Sequence, residues 1–454
     1  MDMTGALDYL NSLTEKFIKE GGGPGVCVGV VSDKKIYMEK AYGISNIEKK
    51  EKMCKKTIYL LASVSKTISG TMVCYLQKKY NVNLLQKNAG VIANNKYLSN
   101  NIKIVDLLSH RSGIPEQYGS YKELVGYNIE KIMGGVKYIE NINFRNEKNY
   151  TNIPFTYGCK KACEYLNLSV DKAYSMLFNK IGMENTSLDY KPDKYIGYFQ
   201  LNNKYIPYTK VNYEEQVSAG GIYSNIVDMN KFLMFHLKNE IQNNHTIDDT
   251  YYNGIYVDYT SETSSGSIEG TGININYILF NGEIIKAYSH SGAVENSRSI
   301  VYWIPRINIG LCILVNSSLN SFPEAAVYAF LEYLQSGSKA KADAAYLERE
   351  KIVYDIFKKS ECVPFTKKIK SGDINTAMID GTYNNPLYGK ITILNGKIRL
   401  GKLGFTSLFR KNNCLHFVLK NKLGITYMGS VKESCCGIEV LYNCTKGIYY
   451  KVLD

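Results

Sequence analysis

Three short clusters in this chain hold residue types that can do chemistry together. The first is Leu61-Ala62-Ser63-Val64-Ser65-Lys66-Thr67. A serine hydroxyl is a poor nucleophile until a base takes its proton. Positions three apart share one face of a helix, so Ser63 and Lys66 point together at the start of the helix expected over residues 64–79. An ammonium there polarises the hydroxyl, and a lysine of depressed pKa can act as the base. The helix N-terminus adds positive potential where an oxyanion would form. The second cluster is Tyr150-Thr151-Asn152 and the third is His290-Ser291-Gly292. Phenol and imidazole can carry protons, and an asparagine amide can hold a substrate. Each triplet alone is a weak signal, and Ser63 with Lys66 alone reads more readily as an N-cap serine beside a surface lysine.

The elements that must position these residues are legible in outline. Ala6, Leu10, Leu13 and Phe17 recur at helical spacing. Glycines at 21–23 stop that helix, and without the Lys and Ser/Thr of a phosphate-binding loop they carry no such role. Residues 26–31 and 35–42 read as a strand hairpin. The helix over 64–79 turns Ile68, Met72 and Leu76 inward. Further helical patterns cover 160–165, 169–180 and 226–237. Strand character returns at 273–280, 284–288, 298–304 and 309–316, and a helix over 325–334 follows. His290 thus follows one expected strand and Arg298 opens the next, which places the third cluster at a sheet edge. The order implies an α/β (α+β) fold, an antiparallel sheet flanked by helices with a helical region inserted. Residues 336–351 are small, polar and charged, a linker or an exposed helix. From about residue 378, short strands separated by turns such as Asn395-Gly396 predict a small antiparallel β-barrel or sandwich. The expected organisation is a catalytic domain over 1–340, a linker over 341–375 and a β-domain over 376–454.

Composition narrows the class. Of 454 residues, 45% are hydrophobic and 21% charged, which are globular proportions. The net charge of +13 comes from lysines spread along the chain, without a dense block or a recognition motif, so it reads as a lysine-rich surface and not a nucleic-acid site. Eleven cysteines include no C-x-x-C pair. Cys159 and Cys163 are four apart, and Cys435 and Cys436 are adjacent. The histidines are scattered. No zinc-ligand spacing results, no metal or cofactor is expected, and free thiols in a reducing compartment fit. The first 21 residues lack the apolar core of a signal peptide, and no run reaches the ~20 apolar residues of a membrane helix. A cytoplasmic protein without a membrane span is the expectation. Asn149-Tyr150-Thr151 is a glycosylation sequon, but a glycan there would block the second cluster.

Taken in order, the three clusters resemble those of the serine β-lactamase and penicillin-binding-protein family, in its class C form, where the middle motif is Tyr-x-Asn and the last is often His-x-Gly. The resemblance extends to Ile104-Val105-Asp106-Leu107-Leu108-Ser109-His110-Arg111-Ser112-Gly113, to Ile181-Gly182-Met183-Glu184-Asn185-Thr186, and to Ser218-Ala219-Gly220-Gly221-Ile222-Tyr223-Ser224 with Asp228 beyond it. Through Gly381-Thr382-Tyr383 and the residues to Gly389, the tail is similar to the small β-domain appended to some members. Two features depart from the pattern. Ile153-Pro154 follows the second cluster, where proline restricts the preceding backbone. His290 stands where many β-lactamases carry lysine, which suits esterases, D-amino-acid peptidases or transferases.

The resemblance implies a serine hydrolase working through an acyl-enzyme on an amide, lactam or ester. Ser63 would be the nucleophile. Lys66 and Tyr150 would manage its proton, with the lysine drawing the phenol below its usual ~10. Asn152 would bond substrate and Lys66, His290 would orient Tyr150 or substrate, and Ser291 would meet a substrate carboxylate. Beyond Gly292, the backbone amide of Ala293 would join that of Ser63 in an oxyanion hole. His110 is expected to brace a loop. The expected partner is a small-molecule or peptide substrate, with homo-oligomers as an option. Other readings are a catalytically silent or self-assembling member of the fold, or a penicillin-binding protein of slow turnover.

Overall fold

The computed structural model describes the chain except residues 95, 117, 120–122, 124–125, 140–141, 147, 190–196, 202–203, 209–213, 239–255, 258–263, 319 and 361–380, and short stretches of the C-terminal part at 386–388, 401–405, 412–413, 421–425, 435–436, 443–444 and 452–454. The principal helices are α1 (Met3–Lys19), α2 (Val64–Tyr80), α3 (Ile104–Leu108), α4 (Asn152–Glu164), α5 (Val170–Ile181), α6 (Ile226–Leu237), α7 (Phe322–Ser336) and α8 (Lys339–Ser360).

A nine-stranded antiparallel sheet organises the larger part. Its strands are β1 (Gly25–Val31), β2 (Ile36–Asn46), β3 (Glu51–Lys52), β8 (Tyr256–Val257), β9 (Ser264–Glu269), β10 (Asn274–Phe280), β11 (Glu283–Val294), β12 (Ser297–Ile304) and β13 (Ile309–Val315), in the order β3-β2-β1-β13-β12-β11-β10-β9-β8. Short pairs lie outside it: β4 (Tyr59–Leu60) with β7 (Tyr223–Ser224), and β5 (Gly197–Leu201) with β6 (Lys204–Tyr208). β1 joins β13 with Val26 opposite Val315 and Val31 opposite Gly310, so the chain's start and the end of the sheet region are zipped together.

Both faces of this sheet are covered, and that is why β1, β12 and β13 are near-continuous apolar runs. Successive side chains alternate between faces. Val26, Val28 and Val30 join Leu10 of α1 and Phe330 of α7 in one apolar cluster. Cys27 and Val31 face the other way, with Met72 of α2 and Phe232 of α6. α1 starts where Asp2 caps the Gly5 amide at 2.9 Å. It ends before Gly21, whose φ of +75° is left-handed.

In the tail, β14 (Gly381–Asn385), β15 (Gly389–Leu394), β16 (Lys397–Leu400), β17 (Thr406–Lys411), β18 (Cys414–Lys420), β19 (Thr426–Ser434), β20 (Gly437–Tyr442) and β21 (Thr445–Lys451) close into an antiparallel barrel. The pairing of β14 with β21 closes it, so the barrel form is found and not the sandwich. The strand over 406–411 has no counterpart in the sequence reading. Residues 339–360, the start of the expected linker, form one helix packed on α7; the remainder of that linker lies outside the described residues. A further correction concerns β11, which does not stop at residue 288. It runs on to Val294, so His290-Ser291-Gly292 lies inside a strand. Among the described residues no helix is long and apolar enough to cross a membrane.

Candidate active site

The turn before α2 is held in a conformation that few L-residues adopt. Ala62 has a φ of +48°, a left-handed value that costs a non-glycine residue roughly 1–2 kcal/mol. Its neighbours fix it. The Leu61 amide donates to the Ile222 carbonyl at 2.9 Å. The Leu61 carbonyl accepts from Ser299 Oγ at 2.6 Å, and the Leu60 carbonyl accepts from Ser297 Oγ at 2.6 Å. β11 presses close because residue 292 is glycine; a Cβ there would lie 2.4 Å from the Leu61 carbonyl oxygen. The turn presents Ser63 at the N-cap position of α2 with no side-chain cap bond, so its hydroxyl is not committed to the helix end. Among the described residues the Ser63 amide has no backbone acceptor, whereas those of Val64 and Ser65 bond Leu61 and Ala62.

α2 is buried on nearly every side and uses small polar residues where neighbours come close. Thr67 Oγ1 donates to the Gly272 carbonyl at 3.0 Å, and Ser69 Oγ to the Ser218 carbonyl at 2.7 Å. Gly70 and Gly272 let the 270–272 turn sit on the helix: a Cβ on Gly70 would lie 2.0 Å from the Thr271 carbonyl, and one on Gly272 2.2 Å from that of Lys66. Residue 269 is thereby placed beside the middle of the site.

Lys66 is wholly buried. Its Nζ has an acceptor for each of three N–H bonds: Asn152 Oδ1 at 2.6 Å, the Ala219 carbonyl at 2.9 Å and Ser63 Oγ at 3.4 Å. It also stands over the Tyr150 ring, 4.5 Å from its centre. Burial disfavours the ammonium and brings the pKa down to about 7, against an opposing pull from Glu269. The lysine can therefore be neutral near physiological pH. Asn152 is the first residue of α4. Pro154 sits in the first turn of that helix, where a missing amide breaks no intrahelical bond. The departure noted in the sequence is accommodated without distorting the site.

Tyr150 corrects the expectation drawn for it. Burial raises its phenol above the ordinary value, and this outweighs a lowering hydrogen bond with Ser63. The lysine does not bring it down, because the same burial costs Lys66 its own charge. The phenol stays protonated and is a proton donor, not a phenolate base.

The histidine against Tyr150 is His110, with ring centres 4.5 Å apart. His110 has a φ of +57° and its carbonyl accepts from the Asn149 amide at 2.8 Å, so it does brace a loop. Its Nδ1 accepts from the Thr151 amide at 3.3 Å, which leaves the proton of the neutral ring on Nε2. That atom faces Glu269 Oε1 at 4.0 Å, and the other carboxylate oxygen of Glu269 is bonded by Lys148. His290 shares the α2-facing side of β11 with Tyr288 and Gly292. Its Nδ1–H donates to the Ser291 carbonyl at 2.7 Å. Burial holds its pKa at about 3, so it is neutral and turns the Nε2 lone pair outward from that bond. Ser291 and Ala293 fall on the opposite face by strand alternation, so the structure does not bring the Ser291 side chain together with Ser63. β10 pairs with β11 only as far as Ser289, while β12 continues to Val294. Residues 290–294 thus offer one row of backbone groups without a partner strand.

Sequence reasoning missed three contributors: the Ala219 carbonyl, Glu269 and Lys148. The first lies in a segment whose resemblance was visible. Neither charged residue belongs to a motif.

Comparisons with known proteins agree with this architecture. Residues 10–153 match the family model Beta-lactamase. Over those residues the chain is similar to the β-lactamase family. The octameric penicillin-binding protein homologue from Pyrococcus abyssi superposes with a TM-score of 0.58 at 17% identity, covering 97% of this chain and 98% of that one. A class C β-lactamase from Rhodobacter sphaeroides does so with a TM-score of 0.58 at 16% identity, covering 75% and 99%. Among curated proteins, Protein flp of Staphylococcus aureus (strain N315) is 22% identical over 337 residues. That match spans 69% of this chain and 64% of the relative, less than two thirds of its length. The two solved structures share the fold of this chain.

Proposed function

We propose that this chain is a serine hydrolase that forms an acyl-enzyme at Ser63 on an amide, lactam or ester. The observation that carries the reading is the buried Lys66, bonded at once to Ser63, Asn152 and Ala219, with burial bringing its pKa down to about 7. Neutral Lys66 takes the Ser63 proton as Oγ bonds the substrate carbonyl carbon. Negative charge on the carbonyl oxygen faces the Ser63 amide and the Ala293 amide of the β11 edge. The Tyr150 phenol protonates the leaving group as its bond to carbon breaks, and the proton held on Lys66 restores the phenol. Water then deacylates the serine by the same groups in reverse. Asn152 holds Lys66 and the substrate amide. His290, neutral with an Nε2 lone pair, accepts from a substrate N–H or hydroxyl rather than binding a carboxylate. That favours ester and peptide substrates over the anionic β-lactams.

The test is intact-mass detection of a Ser63 adduct with a fluorophosphonate or a penicillin, followed by hydrolysis of nitrocefin, p-nitrophenyl esters and D-aminoacyl anilides. An adduct lost in Ser63→Ala with turnover of esters or anilides supports the reading. No adduct with any probe sinks it.

A further inference from the structure

We propose that Glu269 is a positioning residue of this centre, held by its ion pair with Lys148 and by the 270–272 turn, and that it governs whether Lys66 carries a proton. The inference rests on the acyl-transfer reading above and adds a control group to it.

Glu269 is 2% exposed, and a carboxylate is seldom buried without a purpose in pairing. One oxygen bonds Lys148. The other faces His110 Nε2 at 4.0 Å; neither of those two buried atoms has a hydrogen-bond partner among the described residues. The His110 ring packs tilted against Tyr150, and the centre of the Tyr150 ring is 4.5 Å from Lys66 Nζ and 6.0 Å from Lys148 Nζ. The titratable groups around Lys66 come from every packed element: Tyr150 and Lys148 before α4, Cys159 on α4, His110 after α3, His290 on β11 and Glu269 on β9. Both histidines are held neutral by burial, and burial keeps the Cys159 thiol and the Tyr150 phenol protonated. Beside these groups stands the ion pair of Glu269 with Lys148, whose two members act on Lys66 in opposite directions. Glu269 favours the protonated lysine and Lys148 opposes it.

The consequence is a two-way shift. Removing the Glu269 charge favours neutral Lys66 and moves the acidic limb of acylation to lower pH. Removing the Lys148 charge moves it to higher pH. The experiment is the second-order rate of Ser63 labelling by an uncharged fluorophosphonate between pH 5 and 9, for the full chain and for Glu269→Gln, Glu269→Asp and Lys148→Met. We expect the Gln variant to shift the midpoint down by about one pH unit and Lys148→Met to shift it up by a similar amount. Glu269→Asp, which keeps the charge, should stay near the parent value. Lower rates at an unchanged midpoint in both charge-removing variants would reduce Glu269 to a structural brace and overturn the inference. If Glu269→Gln does not fold, the Lys148→Met shift decides alone. If the parent chain is never labelled by this probe or by a penicillin, the proposed function fails and this inference with it; labelling without the shifts overturns the inference only.

Discussion

At the scale of single residues, the site turns on one buried cation that can cease to be one. Arg keeps its proton at every relevant pH, so it could not serve as the base that the proposed function assigns to Lys66. Lys66→Arg should lower the labelling rate of Ser63 at pH 7.5 by at least about a hundredfold, the usual contribution of a general base. A far-UV spectrum and melting curve like the parent's would show that the loss is chemical. The same depressed pKa links Lys66 to stability. Its folded value of about 7 lies below the unfolded value near ~10.4, so between these the unfolded chain binds the extra proton and stability rises with pH. Below about pH 7 the ammonium is buried and its cost is borne in full. The unfolding free energy from urea titrations should therefore climb between pH 7 and 9 more steeply in the parent than in Lys66→Met. Equal slopes would show that the lysine is not titrating there. The pairing of Ser63 with Lys66 was legible because helical spacing puts i and i+3 on one face. The state of Tyr150 was not, because burial decides it and burial is a property of the assembled fold. Glu269 was invisible for a related reason: an acidic residue at the end of a Ser-rich stretch reads as surface until the sheet covers it.

At the scale of elements, the site depends on how closely β11 approaches the turn before α2. Strands were legible where β-branched and aromatic residues run together, as in β12 and β13. The end of β11 was misplaced because Ser289, His290, Ser291 and Gly292 carry no apolar run; pairing with β12 extends the strand past where propensity stops. The start of α4 was missed for a comparable reason. Pro154 and polar neighbours break the helical pattern, yet proline is harmless in a first turn. Gly292 makes the approach possible. A methyl there meets the Leu61 carbonyl and Ser299 Oγ, and the carbonyl is backbone that cannot swing aside. Gly292→Ala should destabilise by about 1–3 kcal/mol and slow Ser63 labelling by more than its loss of stability explains, since Ser63 and the β11 edge are pushed apart. Gly220→Ala, with no atom within 4 Å of the added methyl, should change stability by no more than about 0.5 kcal/mol. Thermal melts of the two variants side by side would check the contrast. A milder effect at 292 than at 220 would mean that the close packing is not what holds the turn.

At the scale of the whole molecule, the sheet and the barrel differ in how the chain builds them. The sheet takes β1 to β3 from the start of the chain and β8 to β13 from far later, and the zipper between β1 and β13 must close over the whole helical insertion. That order was legible, since strands at both ends with helices between them admit few arrangements. The barrel draws all eight strands from one contiguous stretch, and they pair only with one another. The likeness to the Pyrococcus abyssi protein covers 97% of this chain and so takes in the tail as well. Every strand pair of the sheet, both covering layers and each group placed around Ser63 precede residue 337, and α8 completes the layer by packing on α7. A chain ending after Ser360 should unfold in one cooperative transition and label at Ser63 within about threefold of the full chain's rate. The buried barrel residues Tyr383, Ile391, Ile393, Ile398 and Leu400 are continuous with the apolar cluster of the larger part, so a modest fall in melting temperature is expected from their loss. Scanning calorimetry and intact-mass labelling of the truncated chain measure both. Retained folding with lost labelling would instead make the barrel part of the active site's architecture, and failure to fold would show that this apolar continuity is essential to the core.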